Sequence, residues 1–398
     1  MELIKGKCNE AKVFTSIVEP SCLEQVELFC SYEYLRGEKI RIMPDCHTGK
    51  GVCIGFTSTF SDKLDPSTVG CDIACGILVY ELGQVDIDLN LFDKACHNAI
   101  RAGNTIYKKL EPVSFDAEEL SAKLDTLHIE FDKERELRSV GTLGSGNHFV
   151  ELDKDKSGNV YLAIHSGSRH LGLDVESHYS ALAAARCDQK LMLARKGLID
   201  RMRAENRRDE LHGLLKAFVV PEMEQYIEGD VLDDYISDMR VMNEYANLNR
   251  HEMAYRLLNY VGIDPKSCVE WTTSHNYVDT ENKIIRKGAV SAHSGEKLII
   301  PMNMRDGSLI CVGKGNDDWN ESAPHGSGRL MSRQTARDTL NLNDFIESMK
   351  GIKSSTVCQG TIDEAPMAYK PTESIIECIK DTVEIQNVIK PIYNFKAR

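Results

Sequence analysis

Histidines recur in this chain inside short glycine-, serine- and asparagine-rich phrases: PDCHTGKG, GSGNHF, IHSGSRHLG, SHNYVD and PHGSGR. Loops of that composition present side chains rather than bury them. Any one of these histidines is more often a surface or hydrogen-bonded core residue, but five such phrases make that reading poor for the set. Between Gly70 and Gly76, the run Gly-Cys-Asp-Ile-Ala-Cys-Gly places the Asp72 carboxylate and the Cys75 thiol three residues apart, after a strand-like stretch. The flanking glycines allow close backbone approach, so both groups could grip one metal ion. A buried cysteine beside a turn aspartate is the plain alternative. His148, His165 and His275 each follow or end an apolar run, as ligands at the rim of a sheet would. Thiolate with imidazole favours zinc or iron, carboxylate with water favours manganese or magnesium, and the spacing does not choose between them. There is no G-x-x-x-x-G-K-S/T loop and no strand-anchored G-x-G-x-x-G, so a bound nucleotide needs a different cradle.

Such groups act only if rigid elements hold them. The chain has 398 residues, 42% hydrophobic and 27% charged, which is enough to bury a proper core. Residues 38 to 81 alternate β-branched runs with Gly, Pro and Asp clusters, the pattern of buried strands joined by tight loops. From about 86 to 138 the apolar spacing turns helical, in a segment expected to pack on the sheet. Strand signals return near 147 to 164, and roughly 174 to 260 reads as several helices, rich in Ala, Leu, Arg and Glu. Gly-rich strand-like segments follow from 268 to 329, then short helices. The simplest account is one large α/β domain over residues 1–398, central β-sheets flanked by helices, with a helical insertion at about 174–260.

The 48 Lys and Arg against 61 Asp and Glu give a net charge of -13, so a nucleic acid would be held by a local basic patch. The densest basic stretch, Lys196 to Arg208, reads first as a solvated helix face and second as an RNA backbone contact. Thirteen cysteines, an odd number spread over a large chain, fit reduced thiols. The opening MELIKGKCNE lacks the apolar core of a secretory signal, and no stretch of roughly 18 apolar residues could cross a bilayer. A soluble, cytoplasmic protein with no membrane partner is expected.

Taken in order, PDCHTGKG, GCDIACG, GSGNHFVE, HSGSR, HNY, PHGSGR and DEAPMAYK resemble the motif series of the RtcB family of RNA ligases, from about residue 40 onward. The resemblance implies an enzyme that uses GTP and two Mn²⁺ ions to join an RNA 3′-phosphate or 2′,3′-cyclic phosphate to a 5′-hydroxyl through a guanylyl-histidine. It implies one metal site of Cys75, His165 and His275 and another of Asp72, Cys75 and His148. His325 matches the nucleophile and Asp45 the carboxylate that orients it; His47 reads equally as a structural loop residue. Asn147, Glu151, Tyr369 and Lys396 match nucleotide contacts, and Arg169, Arg329 and Arg333 match arginines that meet RNA phosphates. The implied partners are RNAs with broken ends, such as tRNA or rRNA, GTP, and an accessory factor.

One segment departs from the pattern. Where the family usually has a Gly-Ser-Met-Gly phrase that helps hold the nucleotide, this chain has Ile300-Pro-Met-Asn-Met-Arg-Asp-Gly307. Cys46, Thr48 and Cys71 also stand where other residues are commoner. Two further readings stay open: a dinuclear-metal phosphoesterase acting on RNA ends, and a non-catalytic binder of RNA ends. His97, His128 and His212, in helical-looking stretches, are expected to tolerate alanine.

Overall fold

The computed structural model describes residues 1–205, 207, 210, 214–215 and 224–397. His212 and Arg208, the end of the basic stretch, lie outside the described residues. The strands are β1 (Glu2–Lys5), β2 (Glu10–Val13), β3 (Ile40–His47), β4 (Ile54–Thr59), β5 (Lys63–Leu64), β6 (Gly76–Gly83), β7 (Phe149–Lys154), β8 (Val160–Ser166) and β9 (Ile227–Glu228). They continue with β10 (Val269–Ser274), β11 (Asn276–Asp279), β12 (Ile284–Lys287), β13 (Ala289–Ser291), β14 (Lys297–Asn303), β15 (Gly307–Gly313), β16 (Ser322–Pro324) and β17 (Val383–Lys396). Among the described residues, the α-helices are α1 (Pro20–Cys30), α2 (Leu89–Asn98), α3 (Ala117–Leu124), α4 (Lys133–Ser139), α5 (Arg169–Ala204), α6 (Asp230–Tyr260), α7 (Arg333–Thr339), α8 (Leu342–Ser348) and α9 (Thr372–Cys378).

Two large sheets organise the α/β fold, ordered β1-β2-β3-β4-β12-β11 and β10-β6-β8-β7-β17-β15-β14. Every residue of β8, Val-Tyr-Leu-Ala-Ile-His-Ser, is buried, so both faces of the second sheet are covered around it. That accounts for its almost unbroken apolar run. β17 alternates instead: Tyr393 and Phe395 enter the cluster formed with Phe92, Leu152 and Leu162, while Asn394 and Lys396 point to the other face.

Helix starts follow local chemistry. Asp88, Asp116 and Asp132 each accept hydrogen bonds from the first-turn N–H groups of α2, α3 and α4. The stretch expected to lie on the sheet divides, however. α2 does so, Phe92 meeting Tyr393 edge-on at 5.1 Å. α3 and α4 instead pack on α5 and α6, because Leu120 and Leu124 find their apolar partners in Tyr179, Tyr235 and Met242.

Among the described residues, the expected helical stretch at 174–260 contains α5 and α6, with β9 between them in sequence. The far end of α5 is largely exposed, with Lys196, Arg201 and Arg203 in solvent. α6 behaves differently along its length. Leu232, Tyr235, Met239, Met242 and Ala246 recur at three- and four-residue steps and pack on α5, whereas Met253, Ala254, Leu257 and Leu258 pack on the seven-stranded sheet. Burial of side chains this size is worth roughly 1.5–3 kcal/mol each, so α6 ties the helical layer to the sheet that carries the site.

Candidate active site

The Asp72–Cys75 loop leads into β6, and clamps from outside set its shape. Ala74 has φ 55°, left-handed backbone that costs a non-glycine residue roughly 1–2 kcal/mol. Its N–H donates to Asn276 O at 2.7 Å, and its carbonyl accepts from Arg250 Nη1 at 3.0 Å. Asn276 Nδ2 also donates to Asp72 O at 3.0 Å. Arg250 is wholly buried and donates to Ser166 O at 2.7 Å. Beside it on α6, Asn249 accepts from the N–H groups of Gly141 and Thr142 and donates to Ser166 Oγ and Gly167 O. Adjacent residues of α6 thus brace three loops of the site.

The donor atoms meet where the strands end. His148 precedes β7, His165 lies opposite Ile77 near the end of β8, and His275, between β10 and β11, donates its N–H to Cys75 O at 2.9 Å. Cys75 Sγ is 3.2 Å from His165 Nε2 and 3.3 Å from His148 Nε2. His165 Nε2 is 3.4 Å from His275 Nε2, and His148 Nε2 is 2.8 Å from Asp72 Oδ2. Two donor sets result, Cys75–His165–His275 and Asp72–Cys75–His148, each with its atoms within 4.8 Å of one another and with Cys75 common to both. Two glycines make room. A Cβ at Gly167 would stand 2.0 Å from Asp72 Oδ1, and one at Gly144, where φ is 86°, 2.5 Å from His148 Nδ1.

Burial and the neighbouring Asp72 push the Cys75 thiol well up. Burial and adjoining histidines keep His165 and His275 neutral, far below the usual imidazole range. For Asp72, burial acts upward, but His148, Cys75 and Arg169 outweigh it and hold the carboxyl below its ordinary value. Imidazole nitrogens that converge on a thiol and a carboxylate form a donor set suited to a cation, and a divalent ion would stabilise the thiolate. The donor set fits metal ions in both sites.

His325 follows β16, its ring 4.8 Å from that of His275. Asp45, wholly buried in β3, lies with Oδ2 2.7 Å from His325 Nδ1 and accepts the His325 backbone N–H at 3.2 Å. With Nδ1 engaged, Nε2 is the nitrogen left to react. Lys370, also buried, donates to Pro44 O at 2.9 Å and Cys46 O at 2.8 Å, gripping the chain on both sides of Asp45. His47 lines the cavity with Nδ1 3.2 Å from Asp45 O, and burial lowers its pKa to about 4.

A cavity of about 260 Å³ joins these groups. Asp72, Cys75, Asn147, Glu151, His165, His275, His325, Arg329, Arg333, Tyr369 and Lys396 line it. Asp45 and His148 stand behind that lining as partners of His325 and of Cys75. Arg169 is not brought into it: its guanidinium turns inward, Nε to Thr142 Oγ1 at 2.8 Å and Nη2 to Gly103 O at 2.9 Å.

Glu364 organises the opposite wall. Its carboxylate accepts from Tyr369 OH at 2.7 Å, Lys396 Nζ at 2.8 Å, Arg329 Nη1 at 3.3 Å and Arg333 Nη1. Burial opposes its charge, but Lys396, Arg333 and Arg329 overcome that and hold its pKa at about 2. Glu151 lies across β7 and β17 from Asn394; burial and Asp153 push its carboxyl well up.

Glu364, Lys370, Arg250 and Asn394 were not singled out from the sequence. The first two sit inside DEAPMAYK, where paired charges within an apolar phrase were the available signal. His128 does not sit on a helix. It lies between α3 and α4, its backbone N–H and ring Nδ1 both bonded to Asp238, a carboxylate with no exposure. Alanine there would strip one partner from a buried charge, against the expected tolerance. His97 is on α2, exposed, with Nε2 2.9 Å from Ser355 Oγ.

The family model described as tRNA-splicing ligase RtcB matches residues 34–127 and 91–397. The chain is 30% identical over 391 residues to RNA-splicing ligase RtcB of Escherichia coli strain K12, covering 90% of each. The chain belongs to the RtcB family. Other RtcB relatives include RNA-splicing ligase RtcB2 of Escherichia coli strain ATCC 25922, 26% identical with 85% of this chain and 82% of the relative covered. The tRNA-splicing ligase RtcB of Aeropyrum pernix is 24% identical, with 93% and 88% covered. Residues Ile300 to Gly307 form the turn end of the β14–β15 hairpin. Asn303 Oδ1 accepts the N–H groups of Arg305 and Asp306, so its side chain is spent on the turn. Met302, Asn303 and Met304 line the cavity, and Ser327 Oγ donates to Met302 O at 2.6 Å.

Proposed function

We propose that this protein is a GTP- and Mn²⁺-dependent RNA ligase that joins RNA 3′-phosphate or 2′,3′-cyclic phosphate ends to 5′-hydroxyl ends through a guanylyl-histidine. The observation that carries the reading is His325 Nδ1 at 2.7 Å from buried Asp45, in a cavity shared with two donor sets that have Cys75 in common. A pure binder of RNA ends needs no such pairing of nucleophile and orienter.

Two Mn²⁺ ions, held by Cys75, His165 and His275 and by Asp72, Cys75 and His148, supply charge neutralisation at phosphoryl oxygens. Asp45 holds the proton of His325 on Nδ1, leaving the Nε2 lone pair to attack the α-phosphorus of GTP. An N–P bond forms, the bond to the bridging oxygen breaks, and pyrophosphate leaves. A terminal oxygen of the RNA 3′-phosphate then attacks the guanylyl phosphorus, releasing neutral His325 and giving RNA-ppG. Finally the 5′-hydroxyl attacks the RNA phosphorus, losing its proton as GMP leaves; a cyclic phosphate is first opened by water. Each step is displacement at phosphorus, so positioning and electrostatics carry the catalysis.

Asn147, Glu151, Tyr369 and Lys396 are assigned to the nucleotide, and Arg329 and Arg333 to RNA phosphates, in keeping with their place in the cavity wall. Arg169 is assigned to bracing the Thr142 loop. Residues 1–398 are taken as one domain acting in the cytoplasm on broken tRNA or rRNA, with or without an accessory factor. Among the described residues, no helix is long and apolar enough to cross a membrane.

The test is intact mass after incubation with Mn²⁺ and each of the four nucleoside triphosphates, beside His325→Ala. A GMP-sized gain with GTP in the wild type only is expected. No gain with any nucleotide in metal-loaded protein would overturn the ligase reading and favour the phosphoesterase.

A further inference from the structure

Two cross-strand pairs on one face of the seven-stranded sheet point into the cavity: Glu151 opposite Asn394, and Phe149 opposite Lys396. Residues directly opposed on antiparallel strands bring their side chains into contact, and here each pair has a defined chemistry. Lys396 Nζ stands 5.4 Å above the Phe149 ring. Asn394 Nδ2 donates to Glu151 Oε1 at 3.2 Å.

Asn394 is 1% exposed, and among the described residues its Oδ1 has no hydrogen-bond partner. A buried carbonyl oxygen without a donor is costly, about 1–3 kcal/mol, and an asparagine on a strand between Tyr393 and Phe395 has no packing reason to be polar. An occupant of the cavity that brings an N–H to this oxygen removes the penalty. Because the amide nitrogen is turned to Glu151, the pair presents acceptors side by side: Asn394 Oδ1 and a Glu151 oxygen. In either protonation state a carboxyl keeps one oxygen able to accept.

We propose that Asn394 is a base-reading residue of the nucleotide site, its Oδ1 accepting the exocyclic 2-amino group of a guanine whose N1–H is taken by Glu151. The inference rests on the ligase reading for the presence of a nucleotide, and it adds the residue that distinguishes the purines. Adenine has an acceptor at N1 and no 2-amino group, so it meets this edge with like against like. Hypoxanthine keeps the N1–H and lacks only the 2-amino group, which makes it the diagnostic base. A site built to hydrogen-bond a substrate group rejects the analogue lacking it, because the buried acceptor is then left unpaired.

The experiment measures GMP and IMP adduct formation by intact mass, at limiting GTP or ITP with Mn²⁺, in wild type and Asn394→Leu. Wild type is expected to favour GTP over ITP by roughly tenfold. Asn394→Leu is expected to bring that ratio close to one, because the loss falls more heavily on GTP than on ITP. The wild-type arm does not depend on how the variant folds: equal use of GTP and ITP by wild type overturns the proposal while leaving the ligase reading intact. A wild-type preference that Asn394→Leu retains in full also overturns it. Absence of any adduct in wild type overturns the underlying reading and this proposal with it.

Discussion

Asp45 Oδ2 lies 2.7 Å from His325 Nδ1 across 280 positions of sequence, and it accepts the His325 backbone N–H as well. The imidazole is therefore held at both its ring and its main chain by one buried carboxylate. Asp45→Asn keeps the shape but offers an amide N–H to Nδ1, favouring the tautomer that protonates Nε2. Guanylylation is expected to slow by roughly 10²–10⁴-fold, with metal content unchanged. Single-turnover intact mass measures the rate, and a variant at wild-type speed would remove Asp45 from the mechanism.

Cys75 belongs to both donor sets, whereas His148 belongs to one. Cys75→Ala should lose both ions, and His148→Ala should lose one. Elemental analysis of the purified, Mn²⁺-loaded proteins reads this directly. Normal stoichiometry in Cys75→Ala would refute the shared thiolate.

Lys370 is 3% exposed and donates to the carbonyls on either side of Asp45. Lys370→Met preserves the stem and removes both bonds, leaving two buried carbonyls unmet. A loss of about 2–3 kcal/mol of stability is expected in urea unfolding. Guanylylation should also slow while GTP binding holds, since the loop that aims Asp45 relaxes; a parallel fall in both would indicate general damage instead.

The Glu364 carboxyl titrates at about 2, below its ordinary 4.5, because Lys396, Arg333 and Arg329 surround it despite its burial. A depressed carboxylate contributes stability that is fully present above pH 4.5 and is lost as pH falls toward 2. Glu364→Gln removes that contribution. The stability gap between wild type and variant should be wide at pH 7 and narrow steadily below about pH 4.5, as read by denaturant melts across pH. A gap that stays constant with pH contradicts the charged cluster.

The strands of β3, β4, β6, β7 and β8 were legible because apolar runs between Gly and Asp clusters have few other readings; Asp72, Cys75, His148, His165 and His275 stood out as candidate donors, while their division into two sets came from the family resemblance. Lys370 and Arg250 were not. A lysine or arginine in isolation reads as a solvated charge, and only long-range packing shows that Lys370 is spent on Pro44 and Cys46, or Arg250 on Ala74 and Ser166. His128 misled for a related reason: apolar spacing on either side suggested a helix, while its buried partner Asp238 lies 110 positions away. Arg169 shared a phrase with the candidate donor His165, yet its backbone is left-handed at φ 59° and its guanidinium donates to Thr142.

β17 runs through the interior of its sheet, between β7 and β15, and brings Asn394 and Lys396 to the cavity. A ribosome adding roughly 5–20 residues per second takes tens of seconds to travel from Asp45 to His325 and longer to reach Lys396. For most of that interval Asp72 and Cys75 have been made, but His275, His325 and the wall that contains Glu364 have not. A growing chain therefore completes the Cys75–His165–His275 donor set and the Asp45–His325 pair only late in its synthesis.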